Sequence, residues 1–310
     1  MLYDIVIAGA GPAGLTAALY ARRAGHSVLV LEGGVPGGQA VTTPHVENWP
    51  GTLSISGPDF AMGLYQQCTE LGAEIQFAAV TGFEDRGDRK TVRAGEQIFE
   101  GRTFILANGV RRRKLEVPGE ERLGGRGVSY CATCDGSFFK GKDVAVVGGG
   151  NTAVEDAIYL SSICPTVWLI HRRDSFTAQQ YLLDNLASKP NVKPLMGHRV
   201  LEIQGDKQVE SLRLSGPENQ RILHVAGVFA AVGLIPDNAM FSPPLELNEY
   251  GYVKAGEDCA TNVPGVFVAG DSRSKELRQL VTAAADGAMA ASKAGQYPVS
   301  YTHLRAHETT

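Results

Sequence analysis

Cysteine is scarce and unevenly spread in this chain. Of five cysteines in 310 residues, only Cys131 and Cys134 lie close together, in the stretch "GVSYCATCDGSFF"; Cys68, Cys164 and Cys259 stand alone. A tetrahedral zinc site takes four ligands, normally two such pairs or one pair with spaced histidines. No second pair exists, so no metal centre is expected. The lone cysteines read as small buried hydrophobes, Cys68 within the amphipathic helical pattern "DFAMGLYQQCTELG". The sequence also lacks any apolar run near the roughly 18 residues that span a bilayer, so no membrane partner is expected. It lacks an excess of positive charge: 29 Lys and Arg against 33 Asp and Glu leave a formal −4, which argues against a nucleic-acid partner. The basic run Arg111-Arg112-Arg113-Lys114 reads as a solvated connector, and no solenoid period is present. Strand-like sequence starts at Leu2, leaving no room ahead of it for a targeting segment. The expectation is a cytoplasmic protein, where stable disulfides are rare and a CxxC serves redox or metal chemistry.

What the sequence does have is glycine at two telling places. In "DIVIAGAGPAGLTAALYARRAG" an apolar strand runs into Gly9-x-Gly11-x-x-Gly14 and then a helix, and "SVLVLE" supplies the next strand. "KDVAVVGGGNTAVEDAIYLSSI" repeats the plan with Gly148-x-Gly150-x-x-Ala153, followed by "TVWLIHRRD". Such glycines permit a tight turn and close backbone approach, and the helix N-terminus can hold a pyrophosphate. One GxGxxG is weak evidence; two copies, each between a strand and a helix, make two dinucleotide sites. The length and the 44% hydrophobic, 20% charged composition suit a two-domain soluble globular chain.

The copies differ where the second strand ends. Glu32 lies as far behind Gly14 as His171 lies behind Ala153. A carboxylate there binds a free ribose 2′-hydroxyl and repels a 2′-phosphate, so the first loop is assigned an unphosphorylated adenosine, as in FAD or NAD. His171, Arg172 and Arg173 offer cationic donors suited to phosphate, or else form a solvated basic turn; the first reading assigns NADPH to the second loop. Two such sites suggest an electron relay in which a flavin takes hydride from NADPH and passes the pair to sulfur. Cys131-x-x-Cys134 can then be a metal half-site, a structural staple or a redox disulfide; its place between the loops favours the last.

"CATCDG", "GGGNTAVEDA", "HRRD" and the late "VFVAGD" followed by "RQLVTAAADGAMAA" together resemble the low-molecular-weight, bacterial-type thioredoxin reductases of the class II pyridine nucleotide-disulfide oxidoreductases, across residues 2–297. The resemblance implies an α/β fold of two Rossmann-like, three-layer ββα dinucleotide-binding domains, with the NADPH domain inserted in the FAD domain. Residues 1–113 and 245–297 would form the FAD domain and 114–244 the NADPH domain with the CxxC. Residues 298–310 fit no element of the family and read as a disordered or extraneous tail, so His303 and His307 are left out of the chemistry. The implied activity is a homodimeric thioredoxin-disulfide reductase: electrons pass from NADPH through FAD and the Cys131–Cys134 disulfide to thioredoxin, with rotation of one domain against the other.

Residue roles come partly from chemistry and partly from this resemblance. For FAD, the first loop supplies Gly9, Gly11, Pro12, Ala13 and Gly14, with Glu32 on the ribose. The resemblance adds Gly38, Gln39, Asn48, Val80, Gly270, Asp271, Arg278, Gln279 and Leu280. Asp271 would hydrogen-bond ribityl hydroxyls, the alternative being a simple helix N-cap. For NADPH it adds Gly150, Asn151, Thr152, Glu155, His171, Arg172, Arg173 and Gly233. Cys134 is assigned to the flavin side and Cys131 to attack on thioredoxin. Asp135 is the proton donor and acceptor, or else the turn residue of a "DG" pair. Arg126, Phe138 and Phe139 dock the partner if exposed; otherwise the two phenylalanines are core.

Two departures from the family pattern stand out. Thr177 occupies the place of an arginine that would complete the phosphate grip, and Asn108 that of a small residue near the flavin. The alternatives to be weighed are a flavin-dependent thiol oxidase, a ferredoxin-driven reductase, a redox-sensing flavoprotein, and an NADH-preferring reductase of another small disulfide protein.

Overall fold

The structure, a computed structural model, describes residues 1–43, 45–216 and 220–308, the segment 298–308 by backbone alone. The chain forms two compact units, one from residues 1–111 and 235–310, the other from Arg112–Leu234.

The first unit begins with β1 (Leu2–Ala8), α1 (Pro12–Arg23) and β2 (Val28–Glu32). Helix α2 (Gly57–Glu70) follows, its start fixed by Ser56, whose hydroxyl accepts the Asp59 amide, a side-chain N-cap. Then come β3 (Glu74–Phe77), β4 (Val80–Asp85), β5 (Lys90–Ala94) and β6 (Gln97–Leu106). The sheet order is β3-β2-β1-β6-β5-β4. Strand β1 is parallel to both neighbours, with Ile7 opposite Val30 and Ile105. Alternate residues of a strand face opposite ways. Accordingly Ile5 and Ile7 pack with Leu15, Ala17 and Ala21 of α1, whereas Val6 and Ala8 pack with Phe83, Phe104 and Phe241. Both faces are covered, which is why "DIVIA" reads as an unbroken apolar run.

The chain leaves along β7 (Val110–Arg112). In the second unit, β8 (Val128–Ser129), the single-turn α3 (Ala132–Asp135), β9 (Val144–Val147), α4 (Asn151–Ser161) and β10 (Val167–His171) precede α5 (Gln180–Ala187) and β11 (Val192–Met196). An antiparallel meander follows: β12 (Arg199–Gln204), β13 (Ser211–Ser215) and β14 (Arg221–His224). Strand β15 (Gly227–Ala230) completes a parallel sheet of order β11-β10-β9-β15-β8. Strand β9 repeats the logic of β1: Val144 and Val146 face α4, and Ala145 and Val147 face the meander cluster with Leu212 and Leu214.

The return runs along β16 (Leu234–Pro236), and the first unit closes with β17 (Val266–Val268), parallel to β6, and α6 (Leu280–Glu308). The segment 235–244, expected with the second domain, belongs to the first unit, because Phe241 is buried there against Phe104 and Val268. Helix α6 packs on α1 through Gly287, where a Cβ would lie 2.2 Å from Ala13 O. Its backbone runs on through the segment read from sequence as a tail, up to Glu308; the alanine-rich run before it favours helix continuation. The side chains of His303 and His307, and residues 309 and 310 altogether, lie outside the described residues.

Candidate functional site

Between the end of β1 and the start of α1 the chain reverses within Gly9–Gly11. Gly9 has φ +101°, and a Cβ there would sit 2.4 Å from Ala107 O; one on Gly14 would sit 1.8 Å from Gly9 O. Only glycine fits either place. Gly11, the N-cap residue of α1, instead faces open space, which leaves its backbone free for a ligand. Pro12 occupies the first helical position, as is usual for proline, and Ala13 and Gly14 are buried behind it. Glu32 ends β2 with both oxygens oriented: Oε2 accepts the Ala10 amide at 2.6 Å and Oε1 the Gly34 amide at 2.7 Å. That carboxylate lines a cavity of about 410 Å³ together with Gly9, Val80, Asn108 and Phe241. The turn carrying Gly38 and Gln39 lies against the loop, with the Gly37 amide donating to Ala10 O at 2.7 Å and Gln39 Nε2 donating to Val110 O.

The late motif of the chain comes back to the same loop. Gly270, at φ +74°, approaches α1 so closely that a Cβ would lie 2.8 Å from Ala13 Cβ. Asp271 sits in a short 3-10 turn, Gly270–Ser272, whereas α6 starts only at Leu280; Asp271 therefore does not cap that helix. Asn48 Nδ2 donates to Gln279 Oε1 at 3.0 Å, joining two residues far apart in sequence. The Arg278 guanidinium lies 4.1 Å from the centre of the Tyr252 ring, and its Nε is buried without a hydrogen-bond partner. A buried donor of this kind, the open backbone at Gly11 and the oriented Glu32 carboxylate suit a dinucleotide.

Sequence reasoning missed what holds this region together. Asp286 of α6 is buried and accepts from Arg273 Nη2 and Lys275 Nζ at 2.9 Å each, and from the Gly270 amide at 3.0 Å. An acid amid the alanines of "VTAAADGAMAA" was the available signal. Asn108, unexplained from sequence, is a clasp. Its Oδ1 accepts from Ser272 Oγ at 2.7 Å, and its Nδ2 donates to Asp237 O at 3.0 Å and Asn238 Oδ1 at 3.2 Å.

The second loop is built alike. A Cβ on Gly148 would lie 2.3 Å from Ala231 O, while Gly150, the N-cap residue of α4, has nothing nearer than Thr177 Oγ1 at 3.9 Å. Asn151 Oδ1 accepts the Gln179 amide at 2.9 Å, and Thr152 and Glu155 are exposed on α4. Gly233, at φ +110°, has open space around it. Arg172 and Arg173 are exposed, but His171 is not. Its ring lies on Gly149, where a Cβ would meet it at 2.2 Å, and stacks on Phe176 with centroids 5.7 Å apart. Burial lowers its pKa below the ordinary histidine value, and the two arginines add to that. The imidazole is therefore neutral at physiological pH, and the expected trio of cationic donors is corrected to a pair. His171 Nε2 is buried without a partner, so it remains able to meet a ligand atom. Thr177 donates both its amide (2.7 Å) and its hydroxyl (3.2 Å) to Gly149 O, so it braces the loop.

In the same unit Cys131 and Cys134 are joined as a disulfide. Cys131 is the N-cap residue of α3, and the turn is closed by the Asp135 amide donating to Cys131 O at 3.1 Å. The buried Ser129 hydroxyl donates to Asp135 Oδ2 at 2.6 Å and accepts the Cys131 amide at 3.1 Å. This ties the carboxylate of Asp135 to the backbone of the first cysteine, a place from which it can hold or release a proton beside sulfur. The other cysteines are buried and unpaired with one another; burial pushes the thiols of Cys68 and Cys164 up to about 11 and that of Cys259 to about 12, so they are inert. Among the described residues no cluster could hold a metal ion and no helix is long and apolar enough to cross a membrane. Phe138 and Arg126 are exposed, whereas Phe139 is half-buried, packed edge-on against Phe229 at 5.3 Å at the margin of the core.

Two nucleotide loops and one disulfide define a flavin- and nucleotide-type disulfide oxidoreductase fold, and comparison with known proteins agrees. Residues 3–287 match the pyridine nucleotide-disulphide oxidoreductase family, and the chain belongs to that family. It is 45% identical over 299 residues to a thioredoxin reductase of Listeria innocua, covering 96% of this chain and 94% of the relative. A thioredoxin reductase of Bacillus subtilis is 42% identical over 301 residues, covering 96% and 95%. The crystal structure of thioredoxin reductase from Streptococcus pyogenes superimposes with a TM-score of 0.92 at 40% identity, covering 96% and 99%.

Proposed function

We propose that the protein is an NADPH-dependent thioredoxin-disulfide reductase that binds FAD in its first unit and works as a cytoplasmic homodimer. The observation that carries this reading is the Cys131–Cys134 disulfide, formed in the same unit as the second glycine loop and with Asp135 beside it. When bound, NADPH supplies a hydride and FAD converts it into an electron pair that sulfur can accept.

The chain's own residues have separable tasks. Gly9, Gly11, Pro12, Ala13 and Gly14 present backbone to a pyrophosphate, and Glu32 accepts from an adenosine ribose. Gly38, Gln39, Asn48, Val80, Gly270, Asp271, Arg278, Gln279 and Leu280 complete the FAD set. Gly150, Asn151, Thr152, Glu155, His171 and Gly233 shape the NADPH site, and Arg172 and Arg173 meet its 2′-phosphate. Opening the disulfide takes two electrons and two protons and leaves two thiols. Asp135 holds a proton at its carboxylate for that exchange, and the Cys131 thiolate attacks the partner disulfide, giving a mixed disulfide that Cys134 resolves. Rotation of the second unit about the crossings at residues 111–112 and 234–235 lets nicotinamide and dithiol take turns at the flavin.

One observation favours a second reading. With His171 neutral and Thr177 turned to Gly149, two arginines carry the phosphate contact, which suits weaker discrimination against NADH. Anaerobic titration with NADPH should bleach the flavin absorbance, and oxidised thioredoxin should restore it. Failure of either step, or a kcat/KM that favours NADH, refutes the assignment; a Cys131→Ser, Cys134→Ser variant that still turned over thioredoxin would refute the relay.

A further inference from the structure

Of the two residues between the redox cysteines, one faces inward and one outward. Ala132 is fully buried and belongs to the core cluster with Val154 and Ala157 of α4. Thr133 is exposed, and its Oγ1 lies 3.4 Å from Cys131 Sγ. A sulfur bound in a disulfide carries no proton, so in the oxidised turn the hydroxyl donates and the sulfur accepts. The contact follows from where the two residues stand. Cys131 is the N-cap residue of α3, and its side chain makes no capping bond to the helix backbone. Thr133 is the second residue of α3, and side chains on a helix tilt toward its N-terminus, which turns the Thr133 hydroxyl back over Cys131. Asp135 reaches Cys131 by another route, through Ser129 to the backbone amide, so neither residue takes the other's place.

We propose that Thr133 is a catalytic residue of the dithiol exchange: its hydroxyl donates to Cys131 Sγ and stabilises the thiolate there, first as leaving group and then as nucleophile. Two electrons, supplied by the proposed activity, enter at Cys134. The Sγ–Sγ bond breaks with its bonding pair left on Cys131, and leaving is faster the better the charge is stabilised. That thiolate attacks the partner disulfide, forming a mixed disulfide and expelling the partner's second sulfur as thiolate. Cys134, itself a thiolate, then attacks Cys131 Sγ, which restores the original bond and releases the partner's other sulfur; two protons complete the partner dithiol. A hydrogen bond to a charged acceptor is stronger than one to a neutral acceptor, so the contact favours the Cys131 thiolate over the thiol. Both helices at this turn bear acids: Asp135 on α3, and Glu155 and Asp156 on α4. Arg112, the cation beside the same segment, lies 5.7 Å from the centre of the Tyr130 ring. Negative charge near the turn disfavours a thiolate, and the Thr133 hydroxyl acts against it.

The inference rests on Cys131–Cys134 being the redox centre, as proposed above, and not on the nucleotide assignment. Holoenzyme reduced by dithiothreitol, then freed of it without air, is alkylated with iodoacetamide from about pH 5.5 to 9.5, a range that brackets ordinary and lowered thiols. Modification of Cys131 is followed by mass spectrometry of its peptide. Thr133→Val keeps the shape and removes the hydroxyl; the site is exposed, so the core is untouched. Its inflection should lie about half a unit to one unit above wild type. A thiolate of higher pKa is scarcer at low pH but a better nucleophile, with a Brønsted slope of about 0.4–0.5. The curves should therefore cross, the valine variant about two- to three-fold slower below the inflection and about two-fold faster above it. Thr133→Ser retains the hydroxyl and should follow wild type. In a Cys134→Ser background, which removes coupling to the second thiol, the crossing should persist. A valine curve that superimposes on wild type overturns the proposal, and so does a serine variant that behaves like valine. A change confined to the KM for thioredoxin, with alkylation unaltered, would make Thr133 a docking contact and overturn it too. Failure to use NADPH would refute the nucleotide assignment alone, since no nucleotide enters the alkylation.

Discussion

Replacing Asp286 by alanine should destabilise the first unit more than any other single exposed-to-buried count of charges would suggest. Asp286 is 9% exposed and faces Arg273 and Lys275, each 6% exposed, at 2.9 Å. The remaining carboxylate near Arg273, Glu257, is 3.7 Å away but 97% exposed, so water screens it. Removing Asp286 leaves two desolvated cations and an unpaired Gly270 amide. Breaking a buried pair by deleting one partner costs about 3–5 kcal/mol, and an orphaned amide adds on the order of 1 kcal/mol. Lys275 can recover part of this by snorkelling to solvent. The net expectation is a loss of about 3–5 kcal/mol, read from urea unfolding followed by far-UV circular dichroism. Because the Gly270 amide is the tether of the turn that carries Asp271, flavin should also be lost on gel filtration, seen as a fall in the visible-to-ultraviolet absorbance ratio. Asp286→Asn retains an acceptor for Gly270 but not the charge, and should keep flavin better than alanine while losing most of the stability. A loss below about 1 kcal/mol in the alanine variant, the size of an exposed ion pair, would refute the reasoning.

Other expectations follow from the same geometry. Arg172→Ala with Arg173→Ala should raise the KM for NADPH by roughly ten- to a hundred-fold, about 1.4 kcal/mol per decade, and leave the KM for NADH unchanged in steady-state kinetics. The Asp156 carboxyl rises from 3.8 to about 7 on folding, so the folded chain keeps a proton that the unfolded chain gives up above about pH 4. Its stabilising contribution is full below that pH and lost as pH rises through 7, a swing of order 4 kcal/mol at about 1.4 per unit. Urea midpoints of Asp156→Asn should accordingly gain on the wild type as pH goes from 4 to 8, and parallel curves would sink the point. Phe139→Ala, at a half-buried ring packed on Phe229, should cost about 1–2 kcal/mol, less than a fully buried aromatic, whereas Phe138→Ala should raise the KM for thioredoxin and leave reduction of a small dye intact.

Much of this was legible in the sequence because the dominant constraints are local. Gly14 is crowded by Gly9 O and Gly148 by Ala153 Cβ, each within its own βαβ unit, so spacing reveals them; the contact of Gly9 with Ala107 O is long-range, but its place in the GxGxxG spacing marks it all the same. The apolar runs "DIVIA" and "VAVV" are covered on both faces, and their lengths mark buried parallel strands. What stayed hidden depends on long-range contact. Asp286 reads as one acid in an alanine-rich helix until Arg273 and Lys275 are brought to it. Asn108 has no meaning until Ser272 and Asn238 close around it. Phe138 and Phe139 are adjacent and identical in type, yet one is exposed and the other is packed on Phe229. No periodicity separates them in a four-residue 3-10 turn.

The two glycine loops show how one backbone plan yields opposite electrostatics. At the end of β2 a carboxylate is held by two backbone amides, Ala10 and Gly34, and stays polar at the edge of a cavity. At the matching end of β10 an imidazole lies flat on Gly149 and against Phe176, which leaves it neutral and buried. Under the proposed function, the choice of adenosine is therefore not a contrast of one anion with three cations. On the first loop it would lie in Glu32 itself, whose charge would repel a phosphate placed there. On the second, under the proposed NADPH assignment, the His171 ring fills the space beside Gly149 and selectivity would fall to Arg172 and Arg173 on the exposed turn beyond it. Exposed guanidiniums are solvated before the ligand arrives, so each gains less from a phosphate than a buried one would. A loop that selects through such groups discriminates by degree, while a loop that selects through a fixed carboxylate discriminates by exclusion.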